Sequence, residues 1–157
     1  MTAAGAQLAG VMCGVDGSPH ARHAANAALA LADRLGARLT LVHVAPTRTL
    51  LPVASLPADV DPSAYARSLE VADVQAKEAF DSLSPEVTRA DVDHEARIGE
   101  PATVLAELLE ESRAELIVVG SRGRGAWRSA AMGSVSAGLV RLAPCPVMIV
   151  PRKRPTP

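Results

Sequence analysis

Apolar positions along this chain switch between two periods, and the switches mark its elements. Leu8 to Val15 is a near-continuous apolar run, with Val11, Met12, Cys13 and Val15, as expected of a strand buried on both faces. Asp16-Gly17-Ser18-Pro19 then reads as a turn into a helix, with Ser18 as N-cap and Pro19 as first helical residue. Ala24, Ala28, Leu31 and Leu35 keep helical spacing, and Gly36 stops that helix. Arg38 to Val44 is a second strand. From Ala45 to Pro62 four prolines, at 46, 52, 57 and 62, exclude a regular helix and predict a long excursion.

A second helix follows from Ser63, its apolar stripe formed by Tyr65, Leu69, Ala72, Ala76, Phe80 and Leu83. Val87 to Ala96 alternates as a third strand, with Val92 and neighbouring alanines facing in. Gly99-Glu100-Pro101 opens a third helix with Val104, Leu105, Leu108 and Leu109 inside. Glu115 to Val119 is a fourth strand. A fourth helix spans Ser134 to Leu142 and is ended by Pro144, and Val147 to Val150 is a fifth strand. Strand and helix thus alternate five times, which predicts an α/β fold with a parallel sheet and helices on both faces. Ligands in such folds bind beyond the carboxyl ends of the strands, where strand order reverses.

Composition narrows the class. A chain of 157 residues is expected to form a single domain, with residues 1–7 and 151–157 as flexible ends. Hydrophobic residues at 48% against 21% charged ones mark a globular chain. Aromatics are only 2%, which argues against base-stacking platforms, and the net charge of −1 lacks the basic excess of a nucleic-acid binder. Cys13 and Cys145 are too far apart in sequence for a metal or redox pair and read as two buried thiols in a reducing cytosol. No apolar run approaches the ~18 residues of a membrane span. Met1 to Ala9 lacks a basic region followed by a long apolar core, so a cytoplasmic location without a signal peptide is expected.

The chemistry concentrates in the fifteen residues from Gly120 to Ser134, which hold three arginines and no acid. Strand, glycine-rich loop and helix start together let main-chain N–H groups cradle phosphate. A Walker loop is excluded, because Ala126 and Trp127 follow Gly125 where Lys and Ser or Thr are needed. A dinucleotide fingerprint fails too, since Gly123 and Gly125 are followed by Arg128 in place of the third glycine. What remains is Gly120, Gly123, nine intervening residues, and Gly133-Ser134.

That pattern resembles the universal stress protein family, nucleotide-binding type, whose motif is G-x2-G-x9-G followed by Ser or Thr. The flanks agree: Leu116-Ile117-Val118-Val119 before it, Val135-Ser136 within it, Ala143-Pro144-Cys145-Pro146-Val147 after it. Glu115 stands where the family usually has aspartate. The resemblance implies a three-layer α/β/α sandwich of Rossmann-like type with strand order 3-2-1-4-5. It also implies ATP as ligand, with Mg, and a homodimer formed through the strand Val147-Val150.

Placed on the family pattern, the candidate nucleotide-binding residues are Asp16, Gly17, Ser18, Val44, Gly120, Ser121, Arg122, Gly123, Arg124, Gly133, Ser134, Val135 and Ser136. Asp16 can accept from ribose hydroxyls or contact Mg²⁺, and an aspartate there also makes an ordinary turn. Val44 matches the place where family members hold adenine, through its main chain. Ser134 can offer hydroxyl and amide to a terminal phosphate while capping its helix. Arg122, Arg124 and Arg128 can pair with phosphate oxygens or remain solvated. Trp127 is read as a loop anchor, and His43 as a core or sheet-end histidine. His20 and His23 have no nucleophile or carboxylate arranged with them.

With no catalytic constellation in view, any hydrolysis is expected to be slow. The alternative is an ATP-cleaving ligase or pyrophosphatase of related fold. Those carry a Ser-Gly-Gly-x-Asp-Ser loop after the first strand, and Gly14-Val15-Asp16-Gly17-Ser18 lacks its leading serine and one glycine. An interaction module without nucleotide is opposed by the intact Gly120, Gly123 and Gly133, and a flavin domain by the scarcity of aromatics.

Overall fold

The computed structural model describes residues 8–46, 62–89, 91–123 and 132–151, without the side chains of 62, 64, 65 and 68. Its elements run β1 (Gly10–Gly14), α1 (Pro19–Leu35), β2 (Arg38–Pro46), α2 (Pro62–Asp81), β3 (Asp93–Gly99), α3 (Pro101–Glu111), β4 (Leu116–Gly120), α4 (Ser134–Leu142) and β5 (Val147–Val150). The five strands form one parallel sheet in the order β3-β2-β1-β4-β5. This is the expected α/β layering and order. The chain reverses direction across the sheet between β1 and β4, whose register pairs Met12 with Ile117 and Cys13 with Val118.

Small residues set how closely the layers approach. The inward face of α1 is Ala21, Ala24, Ala25, Ala28, Leu29 and Ala32, all buried. Leu31 and Leu35, expected on that face, lie half-buried at its margin. Ser18 accepts the Ala21 amide at 3.1 Å, Pro19 follows, and Gly36 closes the helix in the left-handed conformation at φ 63°. Two apolar cores result. One joins Val11, Cys13, Leu41 and Val118 to α1, and the other joins Met12, Val42, Ile117 and Val119 to Leu105, Leu109 and Leu139 of α3 and α4.

The third strand departs from expectation. Val87 and Val92 lie in turns, with Val87 N–H donating to the Ser84 carbonyl and Val92 N–H to that of Arg89, and Ala90 between them lies outside the described residues. Arg89 fastens this turn to α1 by an ion pair to Asp33 (2.5 Å) and pairs within the turn with Asp91 (2.7 Å), and its guanidinium holds the Asp33 carboxyl below the usual carboxylate range. Val87 and Val92 are buried as turn residues, so their apolar character mimicked a strand. The strand itself, Asp93–Gly99, is an exposed sheet edge in which Ala96, in register with His43, is exposed. In α2, Ala72 and Ala76 are buried and Phe80 half-buried, whereas Leu69 is exposed; Leu83 is buried just past the helix end, and the Tyr65 side chain lies outside the described residues.

Candidate functional site

The carboxyl ends of β1 and β4 adjoin, and the turns leaving them meet. After β1, Asp16 Oδ1 accepts the Ser18 amide at 2.9 Å, and Ser18 is itself buried as the cap of α1. Gly17, between them, lies over Ala79 near the end of α2. After β4, Gly123 comes so near Asp16 that a Cβ on Gly123 would stand 2.6 Å from Asp16 Oδ2. Chain from two strands therefore converges where only glycine leaves room. A carboxylate and a bare main chain share one wall.

The helix that follows completes the wall. Gly133 is the N-cap of α4 and supplies no side chain to cap it. Its own amide donates to the Ser121 carbonyl at 2.9 Å, and its Cα faces Arg122. The first-turn amides of α4 carry the positive end of the helix dipole to the place where Ser121, Arg122 and Gly123 pass. Ser134 is exposed there, Val135 half-buried, and Ser136 buried with its Oγ donating to the Gly120 carbonyl at 2.8 Å. The hydroxyl of Ser136 is thus engaged with the strand end, and Ser134 is the serine that faces outward.

Gly120 has a separate reason to be glycine. A Cβ there would lie 2.8 Å from the His20 carbonyl carbon and 2.9 Å from its oxygen, so β4 ends flat against the first turn of α1. Val44 lies at the same end of β2, one residue past His43. His43 is buried, and its Nδ1 is 2.9 Å from the Val15 carbonyl oxygen.

The structure brings together Asp16, Gly17, Ser18, Gly120, Ser121, Arg122, Gly123, Gly133, Ser134, Val135 and Ser136, with Val44 on the adjoining strand. Arg124, Trp127 and Arg128 lie outside the described residues, as do the two ends 1–7 and 152–157. Among the described residues no cluster of three His, Cys, Asp or Glu could hold a metal ion by itself. Two contacts escaped the sequence reading: the backbone of His20 beneath Gly120, and the hold of His43 on Val15. No local pattern signals either one, because each joins residues far apart in the chain.

A family model for the universal stress protein family matches residues 10–151. The chain belongs to the universal stress protein family. A Staphylococcus aureus (strain USA300) protein named as a universal stress protein is 32% identical over 152 residues, covering 89% of this chain and 82% of the relative. Among solved structures, the universal stress protein UspA from Lactobacillus plantarum is 24% identical with a TM-score of 0.73, covering 92% of this chain and 99% of that one. A universal stress protein crystallised in complex with cAMP is 23% identical with a TM-score of 0.57, covering 92% of this chain and 97% of that one. These two likenesses carry the family's fold. No described helix is long and apolar enough to cross a membrane.

Proposed function

We propose that the crevice between the β1 and β4 turns binds an adenine nucleotide, ATP with Mg²⁺, and that the protein is a nucleotide-dependent regulatory dimer of the stress-response type. The observation that carries this reading is the approach of Asp16 Oδ2 to Gly123, beside a helix start capped only by Gly133. Gly123 and Gly133 bring bare main chain together where a Cβ would meet Asp16 or the backbone of Ser121 and Arg122, and the amides around Ser134 and Val135 give the wall the polarity an anion needs. Arg122 and Arg124 add positive charge to the same loop. The family member held in a crystal with cAMP adds support for an adenine ligand.

The residues fit the ligand in defined roles. Gly120, Ser121, Arg122, Gly123, Arg124, Gly133, Ser134, Val135 and Ser136 form or position the phosphate cradle. Asp16, Gly17 and Ser18 line the ribose side, and Val44 offers main-chain groups to the base. Asp16 offers a carboxylate at the cradle, and Mg²⁺ would take its other ligands from phosphate oxygens and water. Such a site binds and orients; among the described residues no base is arranged for a water nucleophile, and this reading takes a slow ATPase at most over a ligase or pyrophosphatase.

In this reading the chain is one domain working in the cytoplasm, and two copies pair through Val147-Val150, which forms the edge of the sheet beside β4. Calorimetric titration of the purified protein with ATP, ADP, AMP and cAMP, each with and without Mg²⁺, tests the ligand. Saturable binding of ATP, with mass spectrometry finding an adenine nucleotide co-purified, is the expected result. Absence of heat with all four nucleotides sinks the assignment.

A further inference from the structure

Among the described residues the buried polar side chains are Ser18, His43 and Ser136, and all three serve the same end of the sheet. Ser18 caps α1 and Ser136 holds the Gly120 carbonyl. His43 does something that neither helix nor strand requires. Its Nδ1 lies 2.9 Å from the carbonyl oxygen of Val15, the first residue past β1. A carbonyl only accepts, so Nδ1 carries the proton. The ring stands edge-on to Phe80 of α2, with centroids 6.5 Å apart at 74°.

The place of this bond in the ladder gives it consequence. Gly14 is in register with Val42, and the Val15 amide donates to the Val42 carbonyl at 2.9 Å. In a continuing parallel ladder the Val44 amide would next donate to the Val15 carbonyl. The imidazole takes that carbonyl instead, and among the described residues no backbone bond joins Val44 to Val15. The chain leaves β1 there, into the turn whose Asp16 holds the Ser18 amide and faces Gly123. The Val44 amide is left on the β1 side of the crevice without its rung.

We propose that His43 is a positioning residue of the nucleotide site. By holding the Val15 carbonyl it ends the β1–β2 ladder, aims Asp16 at the cradle, and leaves the Val44 main chain open to the edge of a base. The inference rests on the reading of this crevice as an adenine-nucleotide site. His43 acts through Val15 and need not touch the ligand.

Side-chain length separates this role from simple packing. Asparagine places an N–H at the δ position, glutamine places it one bond further out, and leucine has none. The experiment compares the full chain with His43→Asn, His43→Gln and His43→Leu. It reads hydrogen exchange of the Ser18 amide without ligand, melting temperature, and the Kd for ATP with Mg²⁺. His43→Asn is expected to keep Ser18 protection and an affinity within a few-fold of the original. His43→Gln and His43→Leu are expected to lose that protection and bind about tenfold more weakly, the scale of one lost buried hydrogen bond. His43→Leu, packed on Phe80, is expected to melt no lower than His43→Asn, so affinity and stability part company.

Affinity that follows melting temperature, or equal affinity in all three variants, overturns the proposal. If the unaltered protein binds no ATP, the reading of the crevice falls by itself. Exchange at Ser18 still decides the turn in that case: protection kept only with Asn supports the hold of His43, and equal protection in all variants removes it.

Discussion

Gly120 lies flat against the backbone of His20, with 2.8 Å between a Cβ built on the glycine and the His20 carbonyl carbon. Backbone cannot swing aside as a side-chain tip can, so Gly120→Ala must push β4 away from α1. An overpacked contact of this kind costs about 1–3 kcal/mol. We expect the variant to fold with a melting temperature several degrees lower, read by circular dichroism. An unchanged melting curve would show that the strand end and the helix separate easily.

Gly123 presents the opposite case. Its built Cβ meets the end of a side chain, Asp16 Oδ2, which can rotate at modest cost. Gly123→Val is therefore expected to leave the fold intact and to move the carboxylate while filling the phosphate path. ATP affinity is expected to fall about tenfold or more, which corresponds to at least ~1.4 kcal/mol. Calorimetric titration alongside circular dichroism checks both halves, and retained affinity contradicts the assigned cradle.

Ser136 links the two glycines' surroundings. Its buried Oγ donates to the Gly120 carbonyl at 2.8 Å, and Ser136→Ala leaves that carbonyl without this donor. The loss is expected to cost roughly 1–2 kcal/mol in denaturant unfolding, within the range for an unpaired buried polar group. Ser134, exposed at the same helix start, makes the useful control. Ser134→Ala is expected to weaken ATP binding with little change in stability, so the two serines separate structural support from ligand contact.

The layering and the site turns were legible because they are written locally. Ser18-Pro19, the Gly36 stop and the apolar run Leu116 to Val119 each fix a boundary within a few residues. Strand order came from resemblance, since nothing in the alternation says which strand lies beside β1. Val87 and Val92 misled because burial in a turn and burial in a strand leave the same apolar signature. The asymmetry between Gly120 and Gly123 was invisible for a related reason. Both are glycines of one motif, yet one answers to helix packing and the other to a carboxylate, and only distances distinguish them.

The proposed dimer can be tested at β5. The Ser121 amide donates to Val150 and the Ile117 amide to Pro146, so alternate residues of this strand turn their main chain to β4. Val147 and Ile149 then direct theirs to the open edge. Met148 is exposed beside them. Met148→Lys places a charge along that edge without touching the β4 ladder. Light scattering after gel filtration is expected to show a dimer for the unaltered chain and a monomer for the variant, with equal helical content. A monomeric unaltered chain removes the pairing.

The two thiols are expected to behave differently, and the difference extends to pH. Cys13 is fully buried in β1, and burial pushes its thiol from 9.0 up to about 12. Cys145 is half-buried and shifted upward by desolvation, with partial opposition from a hydrogen bond to the Ile117 main chain. A disulfide reagent is therefore expected to modify Cys145 in the folded protein and Cys13 only after unfolding. The folded state keeps the Cys13 proton where the unfolded chain has lost it. The raised value leaves stability whole below pH 9 and erodes it as pH rises from 9 toward 12, by up to ~1.4 kcal/mol per pH unit for one proton. Cys13→Ala removes this titration, so its denaturant midpoint is expected to fall less steeply than that of the unaltered chain across the same window. Parallel curves for the two proteins would mean that the thiol ionises without opening the core.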